Sequence, residues 1–323
     1  MCEDQSLPGF RKPTTPTDPA ELQTAAVDLE RIRDGGIPLG AERRLRALAG
    51  TSTPLFSSDL SVKEYALAQA SGLLPIAQVM GSSVVQHGWQ NYGWQSYGGG
   101  VREMPGFATP WNLARERSFG RLRLEAQLAG ADAVIAIRMS TADLDQPGVL
   151  EYLVFGTAVR ETTLAGGQAW RPRMCTLSAQ DVDKLRRIGA ETLRVIGHTA
   201  VVAVALGPQA NQMMRSWSQN QELGELTQGV YAARHLAMSE ITRQARQAGA
   251  NDMVISSLAH HIHHQEYESL GFTQHLFLVV MHVLGTAIRL GAHRPHPGEL
   301  ATPRLSINLG THSTRSRPRQ EKI

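Results

Sequence analysis

Cysteine is nearly absent from this chain: Cys2 and Cys175 are the two thiols in 323 residues. With one near the start and one ahead of the second half, they argue against a disulfide framework and against a thiolate zinc site. Long apolar runs are absent too. None approaches the roughly 18 residues of a membrane span, and Met1-Cys2-Glu3-Asp4-Gln5 lacks the basic start and apolar stretch of a secretory leader, so a cytoplasmic protein is expected. Catalytic signatures are missing as well. No nucleophile elbow, phosphate loop or dinucleotide glycine pattern occurs, and Gly98-Gly99-Gly100 lacks the lysine and helix start of a phosphate cradle. A protein without enzymatic chemistry is expected.

What the chain has in ordinary measure is core material. Its 42% hydrophobic and 19% charged residues, over a length typical of about two domains, suit a globular protein. The sequence pI near 9.0 hints at nucleic acid until the charge is located. Residues 291–323 hold Arg294, Arg304, Arg315, Arg317, Arg319 and Lys322 against Glu299 and Glu321, a surplus of +4 against the chain's +3. The remainder is therefore at −1, close to neutral. That segment is rich in proline, serine and threonine, so a disordered basic tail is expected from 291 onward, with nucleic acid an unlikely partner for want of interleaved aromatics. Residues 1–57 form an N-terminal tail with Pro8, Pro13, Pro16 and Pro19, within which Leu29 to Leu48 suits short helices around Gly35-Gly36.

Between the tails, one pattern occurs twice. Ala114-Arg115 leads to Leu128-Ala129-Gly130-Ala131-Asp132, and Ala233-Arg234 leads to Gln247-Ala248-Gly249-Ala250-Asn251, both at a spacing of 119. Upstream, Leu60-Ser61-Val62-Lys63-Glu64 matches Leu177-Ser178-Ala179-Gln180-Asp181, and Val79-Met80-Gly81 aligns with Val195-Ile196-Gly197. Downstream, Val154 to Arg160 matches Val283 to Arg289. A repeat of this size implies two folding units, and a shared function should use positions present in both. The matched polar pairs read this way are Arg115 with Arg234, Ser83 with Thr199, and Thr157 with Thr286. An ion pair across an assembly is the role expected for the arginines.

Each unit reads as helix, strand, long connection, helix, strand, strand. Ser61 with Glu64 and Ser178 with Asp181 fit the capping pattern of short helices ending at Gly72 and Gly189. Ile76 to Val85 and Leu193 to Leu206 are rich in β-branched residues and read as strands; Gly81 and Gly197 inside them predict a bulge or a close approach. The main helices carry apolar stripes, with Leu122, Ala126 and Ala129 falling on Ile241, Ala245 and Ala248. Gly130 and Gly249 close them. Ala133 to Met139 with Leu150 to Val159, and Met253 to Leu258 with His275 to Ile288, complete an α+β unit in which a helix packs on a small antiparallel sheet in the order β-α-β-β.

The runs Leu128-Ala129-Gly130-Ala131-Asp132-Ala133-Val134 and Phe155-Gly156-Thr157-Ala158-Val159, with Val79-Met80-Gly81, resemble the YbjQ-like domains, a family labelled heavy-metal-binding. The resemblance covers residues 58–160 and, less closely, 176–290, with 161–175 between them as a linker. It implies tandem dodecin-like units and self-association into a pentameric ring. Two arrangements satisfy it: two stacked five-domain rings, which is favoured, or both units alternating within one ring.

Two segments stand out as candidate sites. The second unit's final hairpin is longer by ten residues and carries His260, His261, His263 and His264, followed by His275 and His282. On a strand, His261 and His263 share one face and His260 and His264 the other. Two imidazoles of one face plus one from the partner strand, with water or Glu266, can ligate zinc, nickel or copper. The first unit has no equivalent histidines, so a divalent transition metal there would be peculiar to the second unit. In the first unit's long connection, Trp89, Tyr92, Trp94 and Tyr97 lie among glycines and suit a small planar ligand or a partner chain. Three readings follow: a non-enzymatic oligomeric scaffold, a metal-binding protein using the histidine hairpin, and a planar-ligand binder using the aromatic loop.

Overall fold

The computed structural model describes residues 19–49, 60–86, 100–143, 148–162, 171–215, 222–269 and 272–291. The basic C-terminal segment, the first 18 residues and the aromatic segment with Trp89, Tyr92, Trp94 and Tyr97 lie outside the described residues.

The chain runs α1 (Pro19–Arg33), α2 (Leu39–Ala49), α3 (Val62–Ala70), β1 (Leu73–Gln86), β2 (Gly100–Glu103), α4 (Pro105–Leu128), β3 (Ala133–Asp143) and β4 (Val149–Glu161). It continues with β5 (Arg173–Met174), α5 (Ala179–Arg187), β6 (Ala190–Ala205), α6 (Pro208–Arg215), α7 (Gly224–Gln247), β7 (Asp252–Ser269) and β8 (Phe272–Leu290). The local expectations are met where local chemistry decides. Ser61 and Glu64 form a reciprocal capping box on α3, and the Ser178 hydroxyl accepts from the Asp181 N–H on α5. The two long helices are each 24 residues and start 119 apart, and Gly130 and Gly249 take φ of 70° and 74° just past their ends. Arg115 consequently lies in the third turn of α4 rather than at its start.

Two four-stranded sheets result, ordered β1-β4-β3-β5 and β2-β6-β8-β7, and antiparallel except for β5 beside β3. The core orders of three strands match, β1-β4-β3 with β6-β8-β7. Two short strands were not expected. β2, from the long connection of the first half, crosses to the second sheet and pairs with Val202 to Ala205 of β6. β5, from the linker, adds to the first sheet.

One correction concerns the strand alignment. Val79 pairs with Gly156, and Ile196 pairs with Gly285, while bulges interrupt β1 between Pro75 and Ala77 and β6 between Thr192 and Arg194. These pairs and bulges correspond at a spacing of 117, so Val79-Met80-Gly81 matches Ile196-Gly197-His198, and Ser82, not Ser83, matches Thr199. The sequence alignment had slipped by one residue, which assigns every side chain to the opposite face. Gly81 is then explained by its own surroundings: a Cβ there would land on the Ser118 carbonyl and lie 2.7 Å from the Leu122 nitrogen, because α4 crosses β1 at that point.

The layers stack as α7, second sheet, α4, first sheet. The α7 stripe of Ala233, Ala237, Ile241 and Ala245 packs with Ile196, Ala200, Val202 and Val204 of β6. On the other face of β6, Val201 and Ala203 join one core with Trp111 and Phe107 of α4 and with Val79 and Val154 of the first sheet. Having a sheet on either side, α4 buries ten of its residues where α7 buries five. The N-terminal helices belong to this core, since Leu45 and Ile37 are buried in it and Arg121 of α4 donates to the carbonyls of Ile32, Gly36 and Ser82.

Candidate functional site

The junction between α4 and the second sheet is built from amide chemistry. β2 covers β6 only from Val202 onward, which leaves the edge groups of Gly197 and Thr199 without a neighbouring strand. Side chains supply the missing partners. The Asn112 carboxamide accepts from the Thr199 N–H at 3.1 Å and donates to the Thr199 carbonyl at 2.9 Å, as a strand would. Gln244 of α7 treats Gly197 the same way, at 3.2 and 3.1 Å, and Arg115 donates to the same Gly197 carbonyl. The first half repeats one of these devices: Glu125 accepts from the Met80 N–H at 2.9 Å. Glu125 and Gln244 are 119 apart and Met80 and Gly197 are 117 apart, so this is a matched polar position that sequence comparison alone could have shown and did not.

Charge at this junction is shaped by burial. Burial lowers the Arg115 pKa, and within the chain its guanidinium meets the Gly197 carbonyl and, at 3.9 Å, the Glu116 carboxylate. Burial raises the Glu125 pKa, with the Met80 N–H opposing that shift. His282 is fully buried beside Trp111, ring centroids 4.7 Å apart, and its Nδ1 lies 2.9 Å from the Thr199 hydroxyl. Burial, with His261 and Arg115 nearby, pushes its pKa down to about 3, so it is a neutral structural group. The same junction residues Asn112, Arg115, Gly197 and Gln244 line a cleft of about 1200 Å³ bordered by α4, α7 and β6, where Arg123, Arg171 and Arg194 gather. Burial and the two neighbouring guanidiniums lower the Arg123 pKa, whereas Arg243 and Gln244 hold Glu240 down to about 2.

The six candidate histidines are divided between the two faces of the hairpin. His264 Nε2 lies 3.0 Å from His275 Nδ1, and the His264 ring stacks on Phe277 at 4.6 Å. Glu266 Oε1 is 3.6 Å from the same His275 nitrogen, and one ligand atom from each of the three residues falls within 4.8 Å of the others. Two imidazoles and a carboxylate at a hairpin rim are a ligand set for zinc, copper or nickel with water completing the sphere. His261, His263 and His282 point the other way, toward the first sheet. His261 meets the Thr141 hydroxyl at 3.3 Å and the His282 ring at 5.7 Å between centroids, and His260 is exposed outside the cluster. The cross-strand pairing of Glu266 with His275 is what selects this trio, and strand alternation alone cannot supply it.

Residues 60–162 match the model of the YbjQ-like family described as "Putative heavy-metal-binding". The encapsulin nanocompartment protein Rv1762c of Mycobacterium tuberculosis is 32% identical over 269 residues, 79% of this chain and 92% of that protein. A UPF0145 protein of Methanococcus vannielii is 44% identical over 57 residues and one of Thermus thermophilus 43% over 58, each match covering 18% of this chain and 53% or 50% of the relative. The chain thus spans about half the length of these UPF0145 proteins. No solved structure matches.

Proposed function

The chain belongs to the YbjQ-like family, and from that premise we propose that it is a non-enzymatic scaffold protein that self-associates into a ring and forms part of a protein-bounded compartment. The observation that carries this reading is the open part of the outer face of the first sheet, beyond the end that α3 and α5 cover, where Met80 and Val84 of β1 are exposed large apolar residues on an edge strand. A sheet face that leaves large apolar groups exposed on an edge strand among the described residues is a surface that assembly hides. The relative named as an encapsulin nanocompartment protein supports the compartment part of the reading. Among the described residues no helix is long and apolar enough to cross a membrane, and a cytoplasmic location goes with this reading. Native mass spectrometry of the untagged chain, with negative-stain microscopy of the same sample, tests it: a defined multimer is expected, and a single chain of 35.2 kDa at micromolar concentration overturns it.

A second reading is favoured by one specific arrangement. His264, Glu266 and His275 bind one transition-metal ion per chain, a role confined to the second half. Elemental analysis of protein dialysed against zinc tests it, and a stoichiometry unchanged by His275→Ala sinks it.

A further inference from the structure

We infer that the N-terminal half of α7 docks on the outer face of the first sheet of a second copy of this chain, repeating between chains the contact that α4 makes with the second sheet within one. The inference rests on the self-association proposed above and names its interface.

The argument is a comparison of matched positions. At the strand spacing of 117, Gly197, Thr199 and Val201 of β6 correspond to Met80, Ser82 and Val84 of β1. On β6 these residues are covered by α4: Thr199 is 1% exposed and Val201 2%. On β1 the same face is open, with Met80 at 47% and Val84 at 54%. The neighbouring strand agrees, since His282 and Leu284 of β8 are buried whereas their counterparts Leu153 and Phe155 of β4 are half-buried.

The helices show the complementary difference. At the spacing of 119, Trp111, Asn112 and Arg115 correspond to Val230, Tyr231 and Arg234. The first three bind β6, as described above. Of their counterparts, Tyr231 is 65% exposed and Arg234 is exposed, because none of the described residues covers that side of α7. The backbone of β1 is prepared in the same manner as that of β6. Met80 gives its N–H to Glu125 as Gly197 gives its own to Gln244, so the Met80 carbonyl, on the same side of the strand, faces the free edge where Arg115 meets Gly197. An Arg234 guanidinium fits that carbonyl, and the Tyr231 ring replaces amide contacts by apolar area against Met80 and Val84.

Such a contact joins unlike surfaces, so it propagates head to tail and closes only as a ring or continues as a filament. The layer order α7, sheet, α4, sheet then continues into the α7 of the next chain, and the two halves alternate around one ring instead of occupying two stacked ones.

The test is an engineered disulfide in the full chain. Ser82→Cys with Tyr231→Cys, in a Cys2→Ser background that leaves the buried Cys175, pairs residues that lie on opposite ends of the layer stack within one chain. Oxidation is expected to produce a ladder of covalently linked chains that ends at a closed species, with neither single variant doing so. A multimer in native mass spectrometry that gives no linked chains overturns this inference and leaves self-association standing. A monomeric mass overturns both. As an independent arm, Arg234→Glu with Tyr231→Asp is expected to reduce the assembly to single chains; an unchanged multimer carrying both substitutions also refutes the inference.

Discussion

Replacing Asn112 by alanine removes its two hydrogen bonds to Thr199, besides one to the Ala108 carbonyl of its own helix, and leaves both backbone groups of the buried Thr199 without that partner. An orphaned buried donor or acceptor costs roughly 1–3 kcal/mol, so the pair costs about 2–6 kcal/mol, a large part of the stability of an ordinary domain. Urea unfolding followed by far-UV circular dichroism, at one fixed protein concentration because assembly adds to apparent stability, measures this loss. Arg117→Ala, an exposed position on the same helix, serves as the control and is expected to fall within about 0.5 kcal/mol of the parent. Asn112→Asp distinguishes the two bonds: a carboxylate still accepts from the Thr199 N–H but cannot donate to its carbonyl. A loss under about 0.5 kcal/mol for Asn112→Ala would refute the view that this carboxamide stands in for a missing strand.

His282 makes stability depend on acid. Its pKa of about 3 in the folded chain lies below its ordinary 6.5, so its contribution is present above pH 6.5 and is lost as the pH falls toward 3. That change is on the order of 5 kcal/mol by linkage, and pH-dependent unfolding of His282→Leu should lack this portion. Glu125 has the opposite sign: its raised pKa favours the folded state below the ordinary carboxyl value and loses that contribution as pH rises through the folded one. Glu125→Gln, which installs the residue its counterpart Gln244 already has, is expected to match or exceed the parent in stability at neutral pH, and a clear loss there would count against burial as the dominant cause. For metal binding, His264→Ala and His275→Ala should abolish stoichiometric zinc in elemental analysis while His261→Ala and His263→Ala leave it, and the reverse outcome would move the site to the other face of the hairpin.

The parts of this molecule that depend on near neighbours were legible in its residues. Caps at Ser61 and Ser178, helix ends at Gly130 and Gly249, the apolar stripes of the long helices and the β-α-β-β order all arise from interactions within a few residues, and spacings of 117 for the caps and 119 for the long helices carried them from one half to the other. Histidine alternation on the long hairpin was equally readable, because a strand alternates its faces with a period of two. Strand correspondence was not, since aligning Gly81 with Gly197 gives a spacing of 116 whereas the register, with its matched bulges at Ile76 and Leu193, gives 117, and one residue is half of that period. Nor could any local pattern show that β2 crosses to the other sheet, that Glu266 sits opposite His275, or that α4 has a sheet on either side whereas α7 has one. Those facts are set by cross-strand register and by which surfaces meet in three dimensions, over sequence separations of 80 residues or more for Asn112 and Arg115, and they make one helix a buried wedge and its twin a half-open surface.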